Sequence, residues 1–169
     1  PVGSVPIYEA IVNSCRVRGG TEKMEADEML DAIRLHGEDG ISFVTVHCGI
    51  TLRALAYIEA KPRICGIVSR GGSFIAKWMR HNNKENPLFE RYDEVLEICK
   101  EYGMAISLGD GLRPGAIADS MDRAQVEELT TLGELCRRAR EFGVQTVIEG
   151  PGHVPLDQIE TNIRLQKAV

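Results

Sequence analysis

The sequence lacks several features that mark other classes of protein. No apolar stretch is long enough to cross a bilayer, and the first residues do not resemble a signal peptide. The five cysteines are scattered and never spaced CxxC, which argues against a disulfide framework or a cysteine metal cluster within the chain. The net charge of -5 provides no positive field for nucleic acid. We therefore expect a cytoplasmic protein that binds neither nucleic acid nor membrane.

The composition is that of a globular protein with a regular alternation of elements. The chain has 169 residues, of which 43% are hydrophobic and 27% charged, enough for one domain with a core. Apolar runs that predict strands alternate with segments at helical spacing. The predicted strands are 42–47, 64–68, 104–108 and 144–148, and the predicted helices are 6–13, 23–36, 52–60, 73–81, 92–102, 122–142 and 157–169.

This alternation predicts an α/β fold with a parallel sheet and right-handed crossovers. An open sheet usually concentrates its polar residues at one switch point, whereas here every predicted strand ends in them, which favours a (β/α) barrel. A closed TIM-type barrel needs about eight strands and roughly 250 residues. Since both ends of the sequence also look cut, we expect residues 1–169 to be the central portion of one (β/α)8 barrel domain, with about half of its strands.

The loops after the first two predicted strands carry candidate ligand-binding groups. His47 ends the first strand and is either a substrate contact or a hydrogen-bonded core residue. The sequence SRGG, residues 69–72, ends the second strand and opens a helix, where backbone amides bind anions and Arg70 adds a fork suited to phosphate or carboxylate. The alternative is an ordinary helix cap with Arg70 in a salt bridge. Neither GxGxxG nor Walker A is present.

The loops after the other two strands combine acidic and basic side chains on rigid turns. GDGLRPG, residues 109–115, places Asp110 and Arg113 on one turn, either as ribose and phosphate contacts or as an internal ion pair. EGPGHVP, residues 149–155, offers Glu149 as a general base or an amine contact. His153 is a candidate metal ligand or proton donor, or it only bonds to neighbouring backbone; one histidine is not a metal site. His36 and His81 are expected on the surface or in caps, and Phe74 and Trp78 in the core.

These motifs together resemble one enzyme family. VPIYEA, VHCG, VSRGGSFIAKWM, HNNKENPL, SLGDGLRPGAIAD, TLGEL and EGPGHVPLDQI occur in the order and spacing of the thiamin pyrimidine synthase (phosphomethylpyrimidine synthase) family, in its shorter form. The resemblance covers essentially the whole chain. It implies a (β/α)8 barrel and a radical S-adenosylmethionine enzyme that rearranges 5-aminoimidazole ribonucleotide into hydroxymethylpyrimidine phosphate, and it implies a homodimer for the complete enzyme.

The resemblance also implies roles for individual residues. His153 corresponds to one of two histidines that hold a divalent metal, zinc or iron. The family binds its [4Fe-4S] cluster through a CxxCxxxxC motif that this sequence does not contain. We therefore expect the N-terminal region and the C-terminal iron–sulfur domain to be absent and this chain alone to be inactive. The implied substrate contacts are Tyr8, His47, Ser69, Arg70, Gly71, Asp110, Gly111, Leu112, Arg113 and Glu149.

Three alternatives stay open at this point. The related 5-hydroxybenzimidazole synthase shares these motifs and acts on the same substrate. The chain is alternatively a ligand-binding fragment without turnover. A generic barrel lyase or aldolase is a third possibility, although no lysine at any predicted strand end is available for Schiff-base chemistry.

Overall fold

The structure, a computed structural model, describes residues 1–169. It contains four strands and eight α-helices, joined by loops and three short 3-10 turns. The strands are β1 (Gly3–Ser4), β2 (Phe43–Val46), β3 (Ala105–Leu108) and β4 (Thr146–Ile148), and the helices are α1 (Ile7–Arg18), α2 (Ala26–Glu38), α3 (Leu52–Ala60), α4 (Arg70–Asn82), α5 (Pro87–Glu90), α6 (Tyr92–Glu101), α7 (Arg123–Phe142) and α8 (Ile159–Ala168).

The four strands form one parallel sheet in the order β1-β2-β3-β4. Helices connect each strand to the next, because parallel neighbours require crossover connections. Val44 and Val46 in β2 and Ile106 and Leu108 in β3 are fully or almost fully buried beneath the helices. The predicted α/β class is confirmed, and a four-stranded parallel sheet with helical crossovers is consistent with part of a (β/α) barrel.

The prediction of a strand at 64–68 is wrong. β2 pairs directly with β3, from Phe43 opposite Ala105 to Val46 opposite Leu108, so no strand lies between them. Side-chain contacts hold the segment outside the sheet instead: the Arg63 guanidinium forms two hydrogen bonds with the Asp122 carboxylate, at 2.6 and 2.7 Å. Its backbone leaves the extended region at Gly66, whose φ is 61°. The fourth strand is β1, which is too short to leave a sequence pattern.

Three of the predicted helix starts also differ from the structure by two residues or more. α2 begins at Ala26 rather than 23, because Glu25 and Glu28 form a reciprocal capping box; Thr21 opens a 3-10 turn. α4 begins at Arg70, so the glycines of SRGG lie in its first turn and Ser69 is its N-cap. The final helix begins at Ile159, after a 3-10 turn. These shifts matter most at α4, where the helix N-terminus is brought to the strand ends.

Other predictions about the core and the histidines have mixed outcomes. Trp78 is 5% exposed and Phe74 packs against the core, as expected. His81 is exposed. His36 is neither a free surface residue nor a cap: its Nδ1 lies 2.6 Å from Ser4 Oγ and its Nε2 lies 2.8 Å from Glu9 Oε2, so it ties β1 to α1 and α2. No helix of the structure combines the length and the apolar character that a membrane crossing demands.

Candidate functional site

A cavity of about 500 Å³ lies over the carboxyl ends of β2 and β4 and beside the N-terminus of α4. It brings together residues that are far apart in the sequence, because the carboxyl ends of parallel strands meet at one edge of the sheet. Six of the ten predicted contact residues line it, and their roles as ligand contacts stay predictions. The lining residues are Val5, Tyr8, Thr45, His47, Val68, Ser69, Arg70, Arg113 and Glu149.

His47 follows β2 and presents a buried, neutral imidazole. It is 5% exposed, and burial lowers its pKa to about 4, with Arg113 acting in the same direction and Glu149 opposing it. Nε2 lies 3.4 Å from Ser69 Oγ, and the buried Nδ1 has no partner. A Cβ atom on Gly71 would lie 2.3 Å from the ring, so glycine is required where α4 passes His47. Gly71, a predicted substrate contact, thus packs against the His47 ring and does not line the cavity.

The buried side chain of Asn86 holds the backbone around His47. Its Nδ2 donates to the His47 carbonyl at 2.9 Å and to the Ile50 carbonyl at 3.0 Å, while its Oδ1 accepts from the Leu88 N–H at 3.1 Å. Sequence reasoning missed this residue because HNNKENP was interpreted as a polar loop. The available signal was Asn before Pro at a helix start, which is typical of an N-cap.

The N-terminus of α4 provides an arginine without an acidic partner. Ser69 Oγ accepts from the Gly72 N–H at 3.2 Å, which is the predicted cap. The salt bridge that was the alternative role for Arg70 is not formed, since its guanidinium lies 5.8 Å from the centre of the Tyr8 ring and no carboxylate pairs with it. The arginine and the aromatic ring therefore form one wall of the cavity.

Asp110 and Arg113 form an internal ion pair at the edge of the cavity. Arg113 Nη1 lies 2.9 Å from Asp110 Oδ1, and the two side chains are 28% and 15% exposed. Burial raises the pKa of the Asp110 carboxyl to about 6, which Arg113 opposes and Glu149 reinforces. Only Arg113 of the pair lines the cavity; Asp110 packs on Gly152, where a Cβ would lie 1.6 Å from its Oδ2. The internal ion pair that was the alternative role is thus formed, and part of the Arg113 guanidinium remains exposed to the cavity.

Glu149 joins the ends of β3 and β4. One carboxylate oxygen accepts from Ser107 Oγ and the other from the Asp110 N–H, both at 3.3 Å. These long, weak bonds leave the carboxylate able to accept a stronger donor from a ligand. A carboxylate at this point suits an amine or a ring N–H.

Gly111 and Leu112 support the site without lining it. A Cβ on Gly72 would lie 2.2 Å from the Gly111 carbonyl oxygen, so α4 and this turn touch backbone to backbone. The Leu112 side chain is fully buried, and its N–H donates to Glu128 Oε2 at 2.7 Å. Sequence analysis did not single out Glu128, because its partner is a main-chain N–H that leaves no sequence signal.

His153 lies in a second groove of about 550 Å³, formed by residues 114–117 and 153–156. Its Nδ1 lies 2.7 Å from the Pro114 carbonyl and donates to it, so the backbone bond is present, while the role of His153 as a metal ligand stays a prediction. That bond orients the ring and leaves Nε2 for another partner, which is how metal-binding histidines are commonly held. Gln125 steadies the same turn by donating to the Gly152 carbonyl at 2.9 Å.

The residues of this chain do not complete a metal or cluster site. No group of three His, Cys, Asp or Glu side chains converges in a way that would hold a metal ion. Cys15 and Cys65 are exposed, Cys48 and Cys99 are buried, and burial raises the pKa of the Cys99 thiol to about 12. Buried thiols on separate elements do not fit an iron–sulfur cluster, which requires converging thiolates.

Comparison with known proteins gives consistent matches over the whole chain. The sequence profile described as the radical SAM ThiC family matches residues 1–169. The chain is 57% identical over 168 residues to a phosphomethylpyrimidine synthase of Syntrophus aciditrophicus (strain SB) and 54% identical over 168 residues to one of Desulforamulus reducens. A phosphomethylpyrimidine synthase of Dehalococcoides mccartyi (strain CBDB1) is 53% identical over 169 residues. These alignments cover 99%, 99% and 100% of this chain but only 39% of each relative.

Proposed function

Because the chain belongs to the radical SAM ThiC family, we propose that the protein containing it is a phosphomethylpyrimidine synthase, a carbon–carbon lyase of thiamin biosynthesis. Its substrate in this proposal is 5-aminoimidazole ribonucleotide and its product hydroxymethylpyrimidine phosphate. Residues 1–169 would form the central portion of a single barrel domain, within a cytoplasmic homodimer. The names of the relatives support the reaction class, and the cavity supports the substrate.

The observation that carries the proposal is the cavity that combines two arginines, an aromatic ring and a carboxylate. Arg70 has no acidic partner and stands at the N-terminus of α4, where first-turn amides lack helical acceptors and favour anions. We assign the substrate phosphate to Arg70 and this helix N-terminus, with Arg113 as the second cation of the cavity lining. A monophosphate needs such paired donors, because one desolvated anion must be neutralised.

The remaining polar groups of the cavity suit an amino-substituted imidazole. Neutral His47 offers a ring nitrogen for a hydrogen bond, and Glu149 offers a carboxylate for the exocyclic amine. The Tyr8 ring provides an apolar surface beside Arg70. These residues bind and orient the ribonucleotide.

The cofactors that the family requires are assigned outside this chain. S-adenosylmethionine and a [4Fe-4S] cluster supply one-electron chemistry when bound, but the cysteines of this chain do not fit the cluster. We propose His153, through Nε2, as one ligand of a zinc or iron ion whose remaining ligands lie elsewhere in the polypeptide. Residues 1–169 alone would then bind the ribonucleotide without turning it over.

Turnover by the complete polypeptide tests the proposal. The protein is reconstituted anaerobically and incubated with 5-aminoimidazole ribonucleotide, S-adenosylmethionine and a reductant, and the product is identified by mass spectrometry. We expect hydroxymethylpyrimidine phosphate. Arg70→Ala should lower kcat/KM, whereas the matched control Arg80→Ala at the other end of α4, which pairs with Glu59 on the surface, should not. Formation of 5-hydroxybenzimidazole would assign the protein to the related synthase, and binding without any product would favour the non-catalytic alternative.

A further inference from the structure

Glu128 is a buried carboxyl group outside the cavity that no part of the proposed function uses. It lies on α7, is 1% exposed and forms no ion pair. Its Oε2 accepts from the Leu112 N–H at 2.7 Å, a short bond that joins α7 to the turn at residues 109–115. Its Oε1 is buried without a partner and faces Gly111, where a Cβ would lie 3.2 Å away.

The turn at residues 109–115 is packed on one side and bonded on the other. On the first side, the Gly111 backbone contacts Gly72 of α4 and the Ile50 side chain. A Cβ on Gly72 would lie 2.2 Å from the Gly111 carbonyl oxygen, and a Cβ on Gly111 would lie 2.4 Å from Ile50 Cδ1. These are apolar or backbone contacts, which limit the turn sterically but do not orient it. On the other side, the bond from Glu128 reaches Leu112, the residue between Gly111 and Arg113. The Asp110 N–H bond to Glu149 and the Pro114 carbonyl bond from His153 orient the two flanks of the turn, and the Glu128 bond orients its centre.

The electrostatics explain why this carboxyl group functions as a neutral hydrogen-bond partner. Burial raises the pKa of Glu128 to about 8, with nearby Asp110 acting in the same direction and the Leu112 N–H opposing it. At neutral pH the group is mostly the uncharged acid, whose carbonyl oxygen accepts from Leu112. A buried acid is unfavourable for stability in itself, and Glu128 lies beside a small cavity, lined mostly by polar residues, that Asp110 and Glu149 also line. The presence of Glu128 is explained by its hydrogen bond to Leu112, which holds the turn at residues 109–115.

We propose that Glu128 is a positioning residue of the ligand site: through its hydrogen bond to the Leu112 N–H it holds the turn 109–115 and thereby aims Asp110 and Arg113. Arg113 reaches the cavity only from this turn, and its guanidinium is already oriented by Asp110. Releasing the turn would let both side chains move together away from the ligand. Misplacement of a binding group by about 1 Å lowers function by up to roughly 100-fold.

The inference rests on the proposed function only for its ligand, and two variants test it in the complete polypeptide. Glu128→Gln keeps an oxygen acceptor of the same shape for Leu112, so its affinity for 5-aminoimidazole ribonucleotide should stay within about threefold of wild type. Glu128→Leu fills the space without an acceptor, and its affinity should fall by about tenfold or more. Glu134→Leu, at an exposed glutamate on the same helix, is the matched control for replacing a glutamate of α7 by leucine.

Loss of stability alone would not support a positioning role, so a destabilised control is needed. Ile33→Ala removes a buried side chain from α2, which packs on α1 and α6, and should lower Tm without changing ligand affinity. Hydrogen exchange of the Leu112 amide gives a second readout that needs no ligand. It should be about tenfold faster or more in Glu128→Leu than in wild type or Glu128→Gln.

Each outcome decides the proposal. Unchanged affinity or unchanged Leu112 protection in Glu128→Leu would overturn it, and so would an equal loss of affinity in both variants, because the acceptor that Gln retains would then not be the important feature. If Glu128→Leu does not fold, Glu128→Gln decides: retained affinity and Leu112 protection support the proposal, and loss of either overturns it. If wild type binds no ribonucleotide, the proposed function fails, whereas Leu112 exchange still tests Glu128.

Discussion

Removing the Arg113 side chain should weaken ribonucleotide binding strongly, because this arginine lines the cavity. Its Nη1 is engaged by the Asp110 carboxylate at 2.9 Å and the Asp110 carbonyl at 3.2 Å. An arginine has five donors, so the hydrogens on Nε and Nη2 remain for a phosphate. Because the side chain is 28% exposed, solvent screens these contacts only in part.

The expected size follows from two charge-assisted hydrogen bonds. Each is worth about 1.5–3 kcal/mol when desolvated, and partial exposure reduces the sum, so Arg113→Ala should lose about 2–4 kcal/mol of binding free energy. This corresponds to an increase in Kd of roughly 30- to 1000-fold. Arg113→Lys keeps the charge but loses the planar fork, so its Kd should lie between those of wild type and Arg113→Ala.

Isothermal titration calorimetry of the complete polypeptide with 5-aminoimidazole ribonucleotide measures these effects. Arg164→Ala is a suitable control, because this arginine is 79% exposed on α8 and pairs only with Glu160. Inorganic phosphate as a second titrant shows whether the lost contact is to the phosphate. An unchanged Kd in Arg113→Ala would refute the reasoning and leave Arg113 only the structural role of holding Asp110.

Four further predictions follow from single features of the fold. Gly72→Ala should lower the free energy of unfolding by about 1–3 kcal/mol, because its Cβ would lie 2.2 Å from a backbone oxygen of Gly111; Gly20→Ala, which meets only the flexible Glu22 side chain, is the control, and equal stabilities in urea titrations would contradict the clash. The folded-state pKa of Glu128 is raised from 4.5 to about 8, so its stabilising effect is full below pH 4.5 and is lost as the pH rises through 8. The free energy of unfolding should therefore fall by about 1.5 kcal/mol between about pH 6.5 and 8, and persistence of that slope in Glu128→Gln would disprove the assignment. Residues 1–169 alone should not cleave S-adenosylmethionine after iron–sulfur reconstitution, because their cysteines do not converge; 5′-deoxyadenosine detected by chromatography would be the opposite result. His153→Ala in the complete polypeptide should lose bound zinc or iron with an unchanged circular dichroism spectrum, and full metal content by elemental analysis would remove His153 from the metal site.

Local sequence patterns predicted a strand correctly where the tertiary structure also provides a neighbouring strand to pair with it. The apolar runs at 42–47, 104–108 and 144–148 contain β2, β3 and β4, because alternating or continuous apolar residues are buried in a parallel sheet. The run at 64–68 has the same local pattern but lies outside the sheet, because the direct pairing of β2 with β3 occupies the position it would take. A strand exists only when another strand accepts its hydrogen bonds, and a short run does not encode its partner.

The types and approximate positions of the cavity residues were determined by the sequence. Parallel strands bring their carboxyl ends to one edge, so His47, Arg113 and Glu149 had to meet once the α/β class was established. Only the tertiary structure decided how they are held. Asn86 and Glu128 bond to backbone groups 36 to 39 and 16 residues away, respectively, and such contacts leave almost no local pattern because the partner is a main-chain atom that every residue possesses. The close approach of Gly72 to Gly111 is of the same kind: a glycine is visible in the sequence, but the backbone that it admits is determined by the packing of helices on the sheet.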